Sequence, residues 1–120
     1  MTSCLPISID VLLTSDVVES ARIELKASWS EPTSEQVLHS ICAFANDFYN
    51  VNGGYIVIGV AEENGRPVLP PKGLQPNQVD EIQKWIRGNC NRIEPSYYPR
   101  LSPEVFQGKH LLVIWVPASD

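Results

Sequence analysis

The feature of this chain that most constrains its fold is a short run, Tyr55–Ala61, that is apolar at both odd and even positions. A strand with one face in water alternates apolar and polar residues, whereas a strand covered on both faces is apolar throughout. The pair Gly53-Gly54 precedes the run, and a polar stretch centred on Asn64-Gly65 follows it, as is typical of a tight turn. The pattern therefore predicts a central strand over residues 54–61, with other elements packed on both of its sides.

Two further regions have the composition and periodicity of β-strands. Residues 20–28 alternate between apolar and charged side chains, which predicts a strand with one buried face. Residues 101–106 and 109–116 flank Gln107-Gly108 and predict two strands joined as a hairpin. Together with the central strand, these regions make four predicted strands.

Two regions place apolar residues three and four positions apart, the spacing that puts them on one side of a helix. They cover residues 34–48 and 77–91, with Thr33 and Asn77 as the expected N-caps. The resulting order is strand-helix-strand-helix-strand-strand. It predicts the α/β class, in the form of an α+β sandwich with a mixed sheet and two helices.

The length and composition indicate one globular domain. The chain has 120 residues, of which 43% are hydrophobic and 19% are charged, so it has enough apolar surface to form a core. We expect residues 1–18 to form an N-terminal arm with a short helix and residues 19–120 to form the domain. The three cysteines are widely separated, and no stretch is apolar over the length of a membrane span. These features predict a cytoplasmic protein that does not bind membranes.

The charges of the chain are unevenly distributed. The net charge is −5, which is unusual for a protein that binds nucleic acids. Between Lys84 and Arg100, however, four residues are basic and only Glu94 is acidic. Such a local excess of basic side chains favours contacts with phosphate groups.

Three blocks of the sequence resemble the Schlafen-like AlbA domains. The first block is similar to their opening E-S-x-x-x-E-F-K, the second to their central I-x-A-F-A-N…G-G-x-I-x-I-G-V, and the third to their closing G-K-x-V-x-x-I-x-V-P hairpin. In this chain the blocks are Glu19–Lys26, Ile41–Asn46 with Gly53–Val60, and Gly108–Pro117. They follow in the same order and together extend over residues 19–117.

The resemblance implies an AlbA-like fold at the N-terminal end of a longer protein, often a regulator of transcription. It also implies binding of nucleic acid, and of DNA in the first place, by a module that holds phosphates and contributes little sequence readout. The residues that we expect to contact phosphates are Arg22, Lys26, Lys84, Arg87, Arg92 and Arg100. Because the net charge is negative, we expect the isolated fragment to bind DNA or RNA weakly. A homodimer is a further assembly that the sequence leaves open.

A metal-dependent ribonuclease is the alternative function, because Schlafen relatives carry three acids at similar motif positions. The corresponding catalytic residues are Glu19, Glu24 and Glu62. Carboxylates of Glu24, Glu62 and the neighbouring Glu63 could hold Mg²⁺ or Mn²⁺ and present a water molecule to a phosphodiester. The simpler interpretation is that Glu24 belongs to a polar strand face and that the other acids belong to a solvated turn. In our main hypothesis the chain has no catalytic residue, no metal and no cofactor.

A module for protein interaction or oligomerisation is the third hypothesis, and the acidic net charge favours it. The tryptophans do not decide between these functions. Trp85 and Trp115 fit a core, whereas Trp29, which lies in a polar loop, is suited either to stack on a base or to cover the sheet.

Overall fold

A computed structural model describes residues 8–14, 22–45, 54–92 and 98–117. Within these ranges, helices lie at Ile9–Thr14 (α1), Glu31–Ala45 (α2) and Pro76–Asn89 (α3), and a 3-10 turn at Cys90–Arg92 follows α3. The strands of the same ranges lie at Arg22–Lys26 (β1), Gly54–Ile58 (β2), Glu62–Glu63 (β3), Arg66–Pro67 (β4), Arg100–Phe106 (β5) and Lys109–Val116 (β6).

Four of the strands form one mixed sheet in the order β1-β2-β6-β5. β1 is parallel to β2, whereas β6 is antiparallel to both β2 and β5. β3 and β4 form a separate two-stranded hairpin. Its turn residues Asn64 and Gly65 both have positive φ, as do Gln107 and Gly108 between β5 and β6. Two adjacent residues with positive φ are what the type I′ hairpin turn requires, so both predicted turns are confirmed.

The predicted central strand is confirmed, because every residue of β2 is buried. Ile56 and Ile58 pack on one face of the sheet, and Tyr55 and Val57 pack on the other. Burial also raises the pKa of the Tyr55 hydroxyl. A strand that is covered on both faces needs apolar residues at every position, which is what the sequence of β2 has.

Helices α2 and α3 cover the first of these faces. Val37 and Ile41 of α2 pack with Ile82 and Ile86 of α3 against the strands, and all four side chains are fully or almost fully buried. The buried positions are spaced three or four residues apart along each helix, as the amphipathic pattern predicted. The fold class is therefore confirmed as an α+β arrangement of a mixed sheet with helices.

The second face of the sheet is covered by α1. Leu12 and Leu13 of this short helix are buried in the same cluster as Tyr55, Val57 and Val113. The helix lies within the stretch that the sequence predicted as an N-terminal arm, yet its side chains are part of the core. The described residues therefore place helices on both faces of the sheet, with α2 and α3 on one face and α1 on the other.

Both predicted N-caps are wrong, by three residues for α2 and by two for α3. The carbonyl oxygen of Ser30 accepts the first helical hydrogen bond, from Ser34 N–H at 2.9 Å, so α2 starts before the predicted cap Thr33. Pro32 is tolerated there because the N–H groups in the first turn of a helix have no hydrogen-bond partner within the helix, so the missing N–H of proline costs no helical bond. α3 begins after Gln75, whose N–H donates to Oε1 of Gln78 at 2.9 Å, and not after Asn77.

Candidate nucleic-acid interface

The second half of α3 and the 3-10 turn that follows it present basic side chains to solvent. Lys84, Arg87 and Arg92 are exposed, and the eleven residues from Ile82 to Arg92 contain no acid. Val79, Ile82 and Ile86 occupy the buried side of the same helix. We call the exposed set of Lys84, Arg87 and Arg92 the α3 basic face. Cations near a helix C-terminus are also favoured by the helix dipole, so part of this pattern stabilises the helix itself.

Arg92 joins the end of α3 to the beginning of α2. Its Nη2 lies 3.2 Å from Oε1 of Glu35, and its Nη1 donates to Oδ1 of Asn89 at 3.1 Å. Both side chains of the ion pair are about half exposed, at 52% and 46%. A bound phosphate would therefore have to compete with Glu35 for Arg92.

Glu24 and Lys26 of β1 face α2. Nζ of Lys26 donates to Oε1 of Gln36 at 3.1 Å, and the hydroxyl of Ser40 donates to Oε2 of Glu24 at 2.7 Å. Lys26 is half-buried by these contacts. The side chain of Arg22, which we also expected to bind phosphate, lies outside the described part of the structure.

Arg100 lies on the opposite face of the sheet from the α3 basic face. It is paired in register with Trp115, and its guanidinium carbon lies 5.8 Å from the centre of the Trp115 ring. Trp115 packs with the cluster around α1, away from α2 and α3. The structure therefore does not bring all six predicted basic residues onto one surface, because the register of β5 directs Arg100 to the other side.

Trp29 packs against the helices α2 and α3 and is not fully exposed to solvent. Its ring lies 5.5 Å from the ring of Trp85, with an angle of 74° between the two planes. Both rings are partly buried against the cluster of α2 and α3. Of the two roles that the sequence left open for Trp29, the geometry shows the structural one.

The acids of the ribonuclease alternative do not converge in the described residues. Glu24 points toward α2, whereas Glu62 lines a groove with Ile23 and Leu25 on the other face of β1. The cause is strand parity, since neighbouring residues of β1 point to opposite faces. No group of three possible metal ligands occurs within residues 8–14, 22–45, 54–92 and 98–117, and Glu19 lies outside them.

Lys109, which we did not predict as a site residue, lies against the loop that carries Lys72. Gly73 has a positive φ, and a Cβ placed on it would lie 2.9 Å from Cβ of Lys109. The side chain of Lys109 therefore lies directly over the loop that carries Lys72. Leu74 N–H, which donates to the carbonyl oxygen of His110 at 2.8 Å, holds the loop against β6. The sequence separates Lys72 from Lys109 by 36 intervening residues, so no local pattern indicates that Lys109 lies against this loop.

The family of the chain follows from a match that extends over most of its length. A family model described as Schlafen, AlbA_2 matches residues 19–120. The chain belongs to this family. The match confirms the resemblance that the three sequence blocks indicated. No curated protein matches the chain significantly.

Two solved structures share the fold of this Schlafen AlbA_2 domain. One is the solution structure of the N-terminal domain of an ATP-dependent DNA helicase RecG-related protein from Nitrosomonas europaea, at 26% identity and a TM-score of 0.59. The similarity covers 84% of this chain and 64% of that one. The other is the DIP2311 protein from Corynebacterium diphtheriae, at 15% identity and a TM-score of 0.56, with 88% of this chain and 22% of that one covered.

The chain thus spans slightly less than two thirds of the first of these structures and about a fifth of the second. Within the described part of the AlbA_2 domain, none of the helices has the length and apolarity needed to cross a bilayer.

Proposed function

We propose that this AlbA_2 domain binds nucleic acid, with DNA as its main ligand, through the α3 basic face. The structure from Nitrosomonas europaea supports the proposal, because that protein is described as related to a DNA helicase and is 26% identical over most of this chain. The finer role is that of a module in a regulator of transcription, which the family resemblance favours. In such a protein the domain would hold phosphates and leave sequence readout to other parts.

The observation that carries the proposal is the run of three exposed basic residues without an intervening acid. Lys84 and Arg92 are eight residues apart, and a rise of about 1.5 Å per residue in α3 and about 2.0 Å in the 3-10 turn separates them by about 13 Å along the axis. One strand of B-DNA presents a phosphate about every 3.4 Å along the axis. The α3 basic face therefore spans about four phosphate intervals of one strand, which is long enough for three separate contacts.

Lys26 can extend this interface only if its contact with Gln36 opens, and Arg100 lies on the other face of the sheet. The binding surface is then smaller than the six residues that the sequence suggested. With only three phosphate contacts and a net charge of −5, binding should be in the range of non-specific complexes, on the order of 10⁻⁴ to 10⁻⁶ M at physiological salt.

A test of this function needs a variant that removes charge from α3 and a control that removes the same charge elsewhere. We would titrate fluorescent duplex DNA, single-stranded DNA and RNA with the wild-type domain, with K84Q/R87Q and with K72Q/K109Q. All four lysine and arginine side chains are exposed, so neither double substitution disturbs the core. The proposal predicts weaker binding for K84Q/R87Q and almost unchanged binding for K72Q/K109Q.

The outcomes separate the three functions that the sequence left open. Equal losses in both double variants would mean that only the total charge matters, and the α3 interface would be wrong. Absence of binding even at low salt would leave the interaction module as the better hypothesis. Cleavage of RNA that depends on Mn²⁺ and is lost in Glu24→Gln would favour the ribonuclease.

A further inference from the structure

The described sheet has two edges, and they differ in their capacity to accept another strand. β5 forms one edge and β1 the other. β5 carries the exposed residue Pro103 at its centre, and proline has no N–H to donate to an added strand. β1 (RIELK) contains no proline. The β1 edge is therefore the one that is suited to strand addition.

The hydrogen bonds of Lys26 show which groups of β1 are available. Its carbonyl oxygen accepts from Gly59 N–H at 2.7 Å and so points toward β2. Backbone groups alternate in direction along a strand. The N–H and C=O of Glu24 therefore also point toward β2, whereas those of Ile23 and Leu25 point away from the sheet. Within the described residues, no strand pairs with this side of β1.

The charges of β1 are symmetric about Leu25. Glu24 and Lys26 flank this residue and lie on the α2 face, where Ser40 and Gln36 hold their side chains. If a second copy of β1 runs antiparallel and pairs Leu25 with Leu25, Glu24 of each copy lies opposite Lys26 of the other. Directly opposed side chains have Cβ atoms about 4.5–5.5 Å apart, so both pairs are close enough to attract.

The other face of β1 has an apolar groove that the same pairing would cover in part. The groove has a volume of about 390 Å³ and is lined mainly by apolar side chains, among them Leu12, Ile23, Leu25 and Leu69. Leu25 is only half-buried there. Pairing of Leu25 with Leu25 would remove apolar surface of both copies from water.

We propose that two copies of this domain associate through their β1 edges, antiparallel and centred on Leu25, to form a continuous eight-stranded sheet. Outward backbone groups of Leu25 supply two hydrogen bonds across the twofold axis. Two Glu24–Lys26 pairs determine the register. The strand has only five residues, so the dimer is weak and forms at high protein concentration.

Charge reversal tests the register with an internal rescue. We would measure the mass of the domain by sedimentation velocity over a roughly hundredfold range of concentration, since dimer formation follows mass action. In the dimer, Glu24→Lys or Lys26→Glu places like charges opposite one another at both symmetry-related pairs of positions 24 and 26. Each substitution should therefore weaken the dimer about tenfold or more. The double variant E24K/K26E exchanges the two charges and should restore association. Glu104→Lys, on the other edge strand, is the matched control.

Hydrogen exchange provides a second measurement that does not depend on these variants. The amide of Leu25 should become protected as the protein concentration rises, whereas the amide of Val105 on β5 should not change. Circular dichroism and thermal unfolding would verify that each variant is folded. A wild-type domain that stays monomeric at the highest concentration would overturn the proposal. The proposal would also be wrong if the dimer persisted in both Glu24→Lys and Lys26→Glu, or if E24K/K26E did not restore association.

Discussion

Gly54 lies directly under the ring of Phe44, so that a Cβ at this position would overlap the aromatic carbons. The two residues are at the start of β2 and in the last turn of α2, respectively. Their contact sets how closely α2 approaches the sheet. The glycine is therefore needed for its lack of a side chain, and its φ is not in the left-handed region.

Replacement of this glycine should destabilise the fold by overpacking. We expect Gly54→Ala to lower the free energy of unfolding by about 1–3 kcal/mol, which urea titration would measure. Gly88→Ala is the matched control, because a Cβ at Gly88 meets no atom within 4 Å and the residue lies in α3. It should raise stability by about 0.5–1 kcal/mol through helix propensity. Similar effects of both substitutions would contradict the close contact between Gly54 and Phe44.

The edge-to-face contact between Trp29 and Trp85 should contribute measurable coupling energy. We expect a double-mutant cycle with Trp29→Ala and Trp85→Ala to give about 0.5–1.5 kcal/mol beyond the burial of each ring. The measurement is urea unfolding of the wild type, the two single variants and the double variant, with circular dichroism as the signal. Additive losses would show that the rings do not interact. Binding of single-stranded DNA should change little in these variants if Trp29 is structural.

Alkaline pH should destabilise the protein. Burial raises the pKa of the Cys90 thiol and of the Tyr55 hydroxyl, because it disfavours their charged forms. Both groups are neutral below their ordinary pKa values of about 9 and 10, where their contribution to stability is fully present. As the pH rises through the raised pKa values of the folded protein, the two groups ionise more readily in the unfolded chain than in the folded one. The free energy of unfolding therefore decreases. The free energy of unfolding, measured by urea titration from about pH 7 to 11, should fall less steeply in Tyr55→Phe.

The salt dependence of binding should report the number of phosphates that the α3 basic face contacts. Each contact contributes a slope of about −0.9 in log affinity against log salt on duplex DNA, so three contacts predict about −3. Arg87→Gln should reduce the magnitude of the slope by about one, without a change in sequence preference. Fluorescence anisotropy at several salt concentrations measures this slope. A slope that Arg87→Gln leaves unchanged would exclude this residue from the interface.

Release of Arg92 from its ion pair should strengthen binding to DNA. Glu35→Gln removes the carboxylate that lies 3.2 Å from Nη2 of Arg92, together with one repulsive negative charge. We expect affinity to rise by a few fold at low salt and stability to fall by no more than about 1 kcal/mol, because the pair is half exposed. Glu104→Gln, on the other side of the sheet, is the control for the loss of a negative charge. Equal gains in both variants would attribute the effect to net charge alone.

Much of the architecture was predictable from local patterns in the sequence. The apolar run of β2 has no polar position, so both faces had to be covered. The pairs Asn64-Gly65 and Gln107-Gly108 tolerate the positive φ of tight turns, and this placed both turns correctly. Alternation in β1 likewise separated the charged face from the apolar face. These features depend on residues close together in the chain, which is why a single sequence determines them.

The tertiary structure decided which of these faces meet. Periodicity shows the side of a strand or helix to which a residue points, but it does not show which element lies opposite. The sequence therefore offered Arg100 and Arg87 alike as phosphate contacts, whereas Arg100 lies on the other face of the sheet, because the register of β5 with β6 places it beside Trp115. For the same reason no local pattern could indicate that Lys109 lies over Gly73 or that α1 completes the core. Sequence alone determined the elements and their buried sides, whereas long-range packing determined which charges share a surface.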